Sequence, residues 1–414
     1  MAGKGRAAYG SGAKPYQRAD GLWVARIEGG YTDNQTRRRI TVSAKTEAEC
    51  KRRLKEKQRE IAARNGRVSS AKKARTTVKA WSDEWLPIYR GEVKPTVYAT
   101  NRSLVRRWII PTLGAKRLAE LTPADVRSLH RAIKSAGRSS TTGNHASVVL
   151  MRMLRAATLD GYDVPPNLFQ VTHPTNAIHD REAIPTADAR RLLEVAREHG
   201  DYTRWLAAIV NGLRRGEALG LTWDCVDFDR RILDVSWQLQ RLPYADKTDR
   251  AKGFDIPDGY EARHLHLALH LVRPKTTHSR RIIPLVPWLH GELHAARESW
   301  TPNPWGLVWA GTDRTGQQVP RRFKDDLDEW ETLQHRAGIS HPAGRTYHLH
   351  EARNTTATIL LEEGIDEAVI KAILGHSSIV TSRGYMSVST DLSMIALEKV
   401  ARALGSDDVR QIES

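Results

Sequence analysis

The stretch from Leu374 to Met386 reads L-G-H-S-S-I-V-T-S-R-G-Y-M and places His376 nine residues before Tyr385. Upstream, Asp366 to Leu374 carries apolar residues at Val369, Ile370, Ile373 and Leu374, the period of one helical face, and Gly375 stands where that helix should end. Ser377 or Ser378 can then cap a second short helix bearing Tyr385. A tyrosine near a helix end is more often a packing residue than a reactive one. The segment alone leaves both readings open, and cations elsewhere in the chain must decide between them.

The chain has 414 residues, enough for two or three domains with sizeable cores. Its formal net charge of +17 and pI near 10.0 favour a polyanionic partner, most often nucleic acid. Residues 1 to 75 hold 20 Lys or Arg against 7 Asp or Glu, so +13 of the +17 lies in the first fifth. Two cysteines, Cys50 and Cys225, are too few for a disulfide framework or a Cys-rich zinc site and fit a reducing cytosol. No apolar run approaches the roughly 18 residues of a membrane span, and the N-terminus lacks the apolar core of a signal peptide.

Residues 1 to 14 are rich in Gly, Ala and Lys and read as disordered. From Gly21, L-W-V-A-R-I alternates, Gly29 and Gly30 allow a turn, and Arg37 to Val42 reads as a second strand, with a basic helix over Thr46 to Ala63. Arg37, Arg38 and Arg39 on a strand next to that helix make residues 1–66 a candidate DNA-binding module, with a solvated basic face as the alternative. Residues 67–75 read as a linker and 76–162 as an all-helical domain. Thr76 or Thr77 caps a helix burying Val78, Trp81, Trp85 and Ile88, Thr96 opens another that ends before Pro111, and Thr122, Pro123 and Asp125 start a third. Asn144 to Leu159 completes the set, whose Arg102, Arg106, Arg107, Lys134 and Arg138 can follow a phosphate backbone. Proline-rich residues 163–184 form a second linker, and 185–414 the largest domain, with a helix capped by Thr186 at its start. The fold class expected is multidomain and mainly α, with a small β-β-β-α N-terminal module and a small antiparallel sheet in the last domain.

The chemistry concentrates in that last domain. In N-G-L-R-R-G-E-A-L-G-L-T-W, Arg214 and Glu217 are three apart and can pair on one helical face, while Arg215 points elsewhere. A guanidinium oriented by a carboxylate can bind two phosphate oxygens at once, although such a pair is also a common structural element. Arg231 to Gln240 and His264 to Leu271 each alternate as a strand. The three histidines of the second, His264, His266 and His270, have no nearby Cys or carboxylate to complete a metal set, and a polar strand face explains them. Residues 241–262 read as an exposed insertion. In P-K-T-T-H-S-R-R-I-I-P-L, Thr276 to Ser279 can turn a hairpin with Lys275 at its rim. In Y-H-L-H-E-A-R-N, His350 and Arg353 share one side of a helix start, where an anion is favoured. His348 to Glu351 lacks the H-E-x-x-H spacing of a zinc motif.

The order G-L-R-x-x-E, P-K-T-x-x-S-x-R-x-I-P-L, H-x-x-R and L-G-H-S-S-I-x-T-x-x-x-Y resembles the phage integrase family of tyrosine recombinases over residues 185 to 390. The upstream layout is similar to integrases with an arm-type DNA-binding domain and a helical core-binding domain. The resemblance implies that Tyr385 attacks the scissile phosphodiester to give a 3′-phosphotyrosine. It implies Arg214 and Arg353 as the clamp on the non-bridging oxygens, His350 as the base, Lys275 as the proton donor to the leaving 5′-oxygen and His376 as a hydrogen-bond donor to the phosphate. Glu217 would orient Arg214. Asn354 departs from the family, which most often has histidine there, and is expected to alter hydrogen bonding without abolishing activity. No metal or cofactor is implied.

The implied function is integration of a phage or mobile element into the chromosome by DNA strand cleavage and rejoining. A chromosome-dimer resolving recombinase is the alternative within this chemistry, and a catalytically inactive architectural DNA-binding protein the alternative outside it. Implied partners are double-stranded attachment sites, a homo-tetramer on DNA, a host DNA-bending factor and an excisionase, in a bacterial cytoplasm without membrane association. The helix expected over Thr390 to Leu404 can dock on a neighbouring protomer or pack on its own domain.

Overall fold

The computed structural model describes residues 14–31, 37–63, 73, 75–171, 182–273, 281–375 and 389–406. The chain divides into two units, residues 1–178 and 179–414.

In the first unit, strands β1 (Tyr16–Gln17), β2 (Trp23–Tyr31) and β3 (Arg37–Ala44) form an antiparallel sheet in that order. Alternation puts Ala25 and Ile27 on one face, where Cys50 and Leu54, one turn apart on α1 (Glu47–Ala63), close a small core over them. Helix α2 (Val78–Glu92) starts where the Thr77 hydroxyl accepts from the Ala80 N–H at 3.2 Å. It buries Val78, Trp81, Trp85 and Tyr89, and the indole N–H of Trp81 donates to Met153 O at 2.8 Å. Ile88, expected inside, is 55% exposed because it lies just outside the arc set by Val78, Trp85 and Tyr89.

Helix α3 (Pro95–Leu104) begins at Pro95, one residue before Thr96, and does not stop before Pro111. It runs through a π-turn (Val105–Ile109) into α4 (Ile110–Leu113). There the Ile110 N–H bonds Val105 O, five residues back, and Pro111 falls in the first turn of the resumed helix, where its missing donor costs nothing. Helix α5 (Pro123–Ser135) has the expected cap, the Thr122 N–H and hydroxyl both donating to Asp125 Oδ2 at 2.9 Å. Helix α6 (Ser140–Leu159) completes the set.

The second unit opens with α7 (Thr186–His199), whose cap is Pro185, so that Thr186 is already helical, and continues with α8 (Tyr202–Val210) and α9 (Arg215–Leu219). The run expected as one strand over Arg231 to Gln240 is two, β5 (Ile232–Val235) and β6 (Gln238–Arg241), which follow β4 (Val226–Asp227). Leu233, Val235, Trp237 and Leu239 are nevertheless all buried. The His264 to Leu271 run is also two strands, β7 (Ala262–His266) and β8 (Leu269–Val272). Leu267 takes φ of +48° at the reversal and is exposed, and the His264 ring donates to its carbonyl at 2.9 Å.

Strand β9 (Arg281–Pro284) pairs with β5, and β8 with β6. The strands flanking Thr276 to Ser279 therefore do not pair with each other as a simple hairpin would; those four residues lie outside the described ones. The insertion over 241–262 is anchored, since Tyr244 stacks on Phe254 at 4.9 Å and Phe254 meets the His270 ring edge to face at 4.2 Å.

After α10 (Pro287–Glu298) and the hairpin β10 (Ala310–Thr312) and β11 (Gln318–Pro320) come α11 (Phe323–Ala337), α12 (Leu349–Glu362), α13 (Glu367–Leu374) and α14 (Thr390–Ala403). Ala396, Leu397, Val400 and Ala401 of α14 are buried in the core of this same unit, so the C-terminal helix packs on its own domain in this chain. Among the described residues, no helix is long and apolar enough to cross a membrane, and no group of three or more His, Cys, Asp or Glu is placed to hold a metal ion.

Candidate active site

Helix α8 is buried along Arg204 to Val210, so the chain leaving it is fixed by the core on every side. Gly212 follows with φ of +60°, and a Cβ there would lie 2.6 Å from Leu374 Cδ2; only glycine fits both the conformation and the space. This turn delivers Leu213 to the core and Arg214 to the start of α9. The Arg214 N–H donates to Glu217 Oε2 at 2.9 Å and its Nη1 to Oε1 at 2.6 Å, so the pairing read from their spacing is present. Arg214 Nη2 donates to Gly375 O at 2.9 Å.

Glu217 also binds an arginine that sequence reasoning passed over. Arg281, buried on β9, donates from Nη1 and Nη2 to the Glu217 oxygens at 3.0 and 2.9 Å, and from Nε to Ile373 O at 2.7 Å. Four donors thus occupy one carboxylate. Burial raises the pKa of Glu217, but the hydrogen bond and charge of Arg281, followed by Arg214, hold it down at about 2. Arg281 had a signal: it alternates inward with Ile283 while Ile282 faces out, and an arginine on the inward register of a strand demands a buried acceptor.

Arg353 arrives from α12, capped at His348, whose N–H donates to Glu351 Oε2 at 2.5 Å. Arg345 grips the same carboxylate at 2.8 and 2.7 Å, fixing the first turn that carries His350 and Arg353. Arg353 is 2% exposed; Nη1 donates to Gly212 O at 2.5 Å, Nη2 donates to Leu374 O, and Nε has no hydrogen-bond partner among the described residues. Burial, and then the neighbouring charges of Arg214 and Arg281, push its pKa below the usual arginine range. A guanidinium keeps its proton, so that charge is held at an electrostatic cost that an entering anion would remove.

Three arginines thus bind the three consecutive carbonyls of Ile373, Leu374 and Gly375 at the end of α13. These are the acceptors a helix C-terminus leaves open, and Gly375 ends the helix with φ of +62° as expected. Beside them is a pocket of about 370 Å³, whose polar lining is Arg214, Arg215, His348, His350 and Arg353. Arg214, Glu217, His350 and Arg353, 139 positions apart at the extremes, are therefore brought to one place. Asn354 follows Arg353 on α12 and is half-buried.

The remaining expected site residues divide into two groups. Lys275, His376 and Tyr385 lie outside the described residues, as does the expected cap at Ser377 or Ser378. Of the expected DNA-contacting residues, Arg37, Arg38 and Arg39 lie on β3. Arg106 and Arg107 are exposed on the π-turn, and Arg102 is half-buried over the Tyr98 ring at 5.2 Å.

Comparison with known proteins bears on this geometry. The sequence profile of the phage integrase family matches residues 289–391, and that of the phage integrase N-terminal SAM-like domain matches 77–132. Residues 289–391 thus carry a domain of the phage integrase family. An integrase of Saccharopolyspora erythraea is 25% identical over 417 residues, spanning 89% of this chain and 91% of that one. A XerC-like tyrosine recombinase of Caldanaerobacter subterraneus subsp. tengcongensis is 24% identical over 73% of this chain and 77% of its own length. Among solved structures, the Tn1549 transposon integrase in complex with transposon right end DNA shares the fold with a TM-score of 0.58, at 19% identity, over 82% of this recombinase and all of that chain. A lambda integrase tetramer bound to a Holliday junction shares it at 0.52 and 15% identity, over 91% and 97%.

Proposed function

We propose that this recombinase cleaves and rejoins DNA at specific sites through Tyr385, and that it integrates a mobile element into a chromosome. The observation that carries the reading is the pairing of Arg214 and Arg353 at one pocket with His350, both guanidiniums held by the protein and neither saturated among the described residues. Such a pair binds the two non-bridging oxygens of a phosphodiester and stabilises the charge that builds on them during displacement.

In the proposed step the Tyr385 hydroxyl gives its proton to His350 as its oxygen attacks phosphorus. The bond from phosphorus to the 5′-oxygen breaks, Lys275 protonates that oxygen, and a 3′-phosphotyrosine remains. A phenol titrates near 10, so general-base help is needed at neutral pH. Attack by another strand's 5′-hydroxyl reverses the sequence and reseals the duplex without an external energy source. His376 is bonded directly to Gly375, whose carbonyl Arg214 holds, so the chain carrying His376 and Tyr385 starts at the arginine cluster. DNA attachment sites, a tetramer on DNA and the modular division at 66, 75, 162 and 184 belong to the same proposal, and the basic first 75 residues favour an integrase over a dimer resolvase, which needs no such arm.

The test is incubation with a nicked duplex spanning the core of the element's attachment site, which traps the covalent adduct. Wild type should form a protein–DNA adduct and Tyr385→Phe none. An adduct that persists in Tyr385→Phe would refute the assignment.

A further inference from the structure

The scissile phosphate accounts for Arg214, Arg353 and His350, but not for the rest of the pocket. Its volume of about 370 Å³ is in the range of sites that enclose a drug-sized ligand, more than one phosphate group requires. Arg215 and His348 line it as well. Arg214 is the extended cap residue and Arg215 the first of the helix, and their side chains go to different anchors. The Arg215 guanidinium lies over the Phe323 ring at 5.1 Å, whereas Arg214 is pinned to Glu217 and Gly375. Two guanidiniums fixed to different anchors do not converge on one phosphate. The carboxylates around this cluster are also committed, Glu217 to Arg214 and Arg281, Glu351 to Arg345, and Asp325 to Arg322; among the described residues, no ion pair reaches Arg215. Stacking engages its flat face and leaves the N–H edges as donors. His348 adds an exposed imidazole at the positive end of the fourteen-residue helix α12.

We infer that Arg215 and His348 form a second anion subsite, which holds a DNA phosphate adjacent to the scissile one. This rests on the function proposed above. By seating a neighbouring phosphate, the subsite would set the position of the scissile phosphorus between Arg214 and Arg353, so its effect should fall on the cleavage step more than on overall duplex affinity.

The experiment is a cycle between protein and backbone. Each phosphate flanking the scissile one is replaced in turn by a neutral methylphosphonate in the nicked duplex, and the rate of adduct formation is measured for wild type, Arg215→Gln, Arg215→Lys and His348→Gln. On unmodified DNA, Arg215→Gln should slow cleavage by about tenfold, and Arg215→Lys, which keeps the charge without the planar stack, by less. At one flanking position the methylphosphonate should slow wild type by a similar factor, and Arg215→Gln on that substrate should add less than about twofold, the signature of coupled partners. His348→Gln, an exposed change that leaves the backbone cap intact, should show the same coupling at the same position. If the losses multiply at every flanking position, or if neither variant slows cleavage, the subsite is refuted while the proposed function stands. If wild type forms no adduct, both fall.

Discussion

Replacing Glu217 with glutamine removes the one charge gripped by the Arg214 and Arg281 guanidiniums, and the cost can be worked from the structure. The carboxylate is almost fully buried and accepts from Arg214 N and Nη1 and from Arg281 Nη1 and Nη2. A carboxyl held at about 2 in place of the ordinary 4.5 is stabilised in its charged form by about 3 kcal/mol. Removing one member of a buried ion pair costs about 3 to 5 kcal/mol in general, because the partner is left uncompensated, so the two routes agree. Glutamine also turns an amide donor towards guanidinium donors. The expected loss is therefore about 3 kcal/mol at pH 7.

The sign of the pH dependence follows from the lowered pKa. A group whose pKa falls on folding contributes its full stability above the unfolded value, near 4.5, and loses it as pH drops towards 2. The gap between wild type and Glu217→Gln should be constant from pH 8 to about 5 and should close between about 4.5 and 2. Hydrogen exchange of the full chain measures this, with α8 and α12 peptides reporting the affected unit and α5 peptides serving as the internal control. A gap below about 1 kcal/mol at pH 7, or one that does not narrow in acid, would refute the charge argument.

Two further outcomes follow from particular contacts. Arg353→Lys replaces the planar fork that reaches Gly212 O and Leu374 O from two nitrogens with a single ammonium, so cleavage of the nicked duplex should fall by about a hundredfold, while duplex affinity, spread over many phosphates, changes little in a filter-binding titration. Gly220→Ala would place a Cβ 2.5 Å from Leu239 N and 2.8 Å from Gln238 C, both backbone atoms of β6, and should destabilise the C-terminal unit by about 3 kcal/mol in urea unfolding.

Much of this architecture was legible because local signals and tertiary outcome agree. The Thr122–Asp125 cap, the Gly375 stop and, Ile88 apart, the inward face of α2 follow from patterns a few residues long, and those patterns survive in the fold. Reading failed where two elements share one period. Leu265, Leu267, Leu269 and Leu271 alternate as one strand, yet the reversal at Leu267 and Ala268 preserves the alternation across the turn, so periodicity could not show it. Pro111 misled for a different reason: a π-turn shifts the register by one residue, and a proline that would break an α-helix then falls where its missing N–H is harmless. Of the candidate site, Arg214, Glu217, His350 and Arg353 were legible, while Arg281 showed only an inward strand register and not its partner, a carboxylate 64 positions away in a separate element.

Arg281 changes how the site's charge should be counted. Three guanidiniums and one carboxylate make up the cluster, but Arg281 spends both of its Nη groups on Glu217 and its Nε on Ile373 O, so its charge is neutralised within the scaffold. Of the three arginines bound to the α13 carbonyls, Arg214 and Arg353 are left with the two positive charges that Glu217 does not cancel, and Arg353 is the one under electrostatic pressure. A phosphodiester in its ground state carries a single negative charge and relieves half of that excess. The five-coordinate species formed by attack of a phenolate carries two and relieves it all. On the function proposed above, the uncancelled charge would favour the transition state over the bound substrate, which is the condition for accelerating the chemical step and not merely tightening binding. Glu217 is then more than a clamp for Arg214: by absorbing Arg281 it sets the surplus at two, and Arg281 in return holds Glu217 ionised while tying β9 to the last turn of α13.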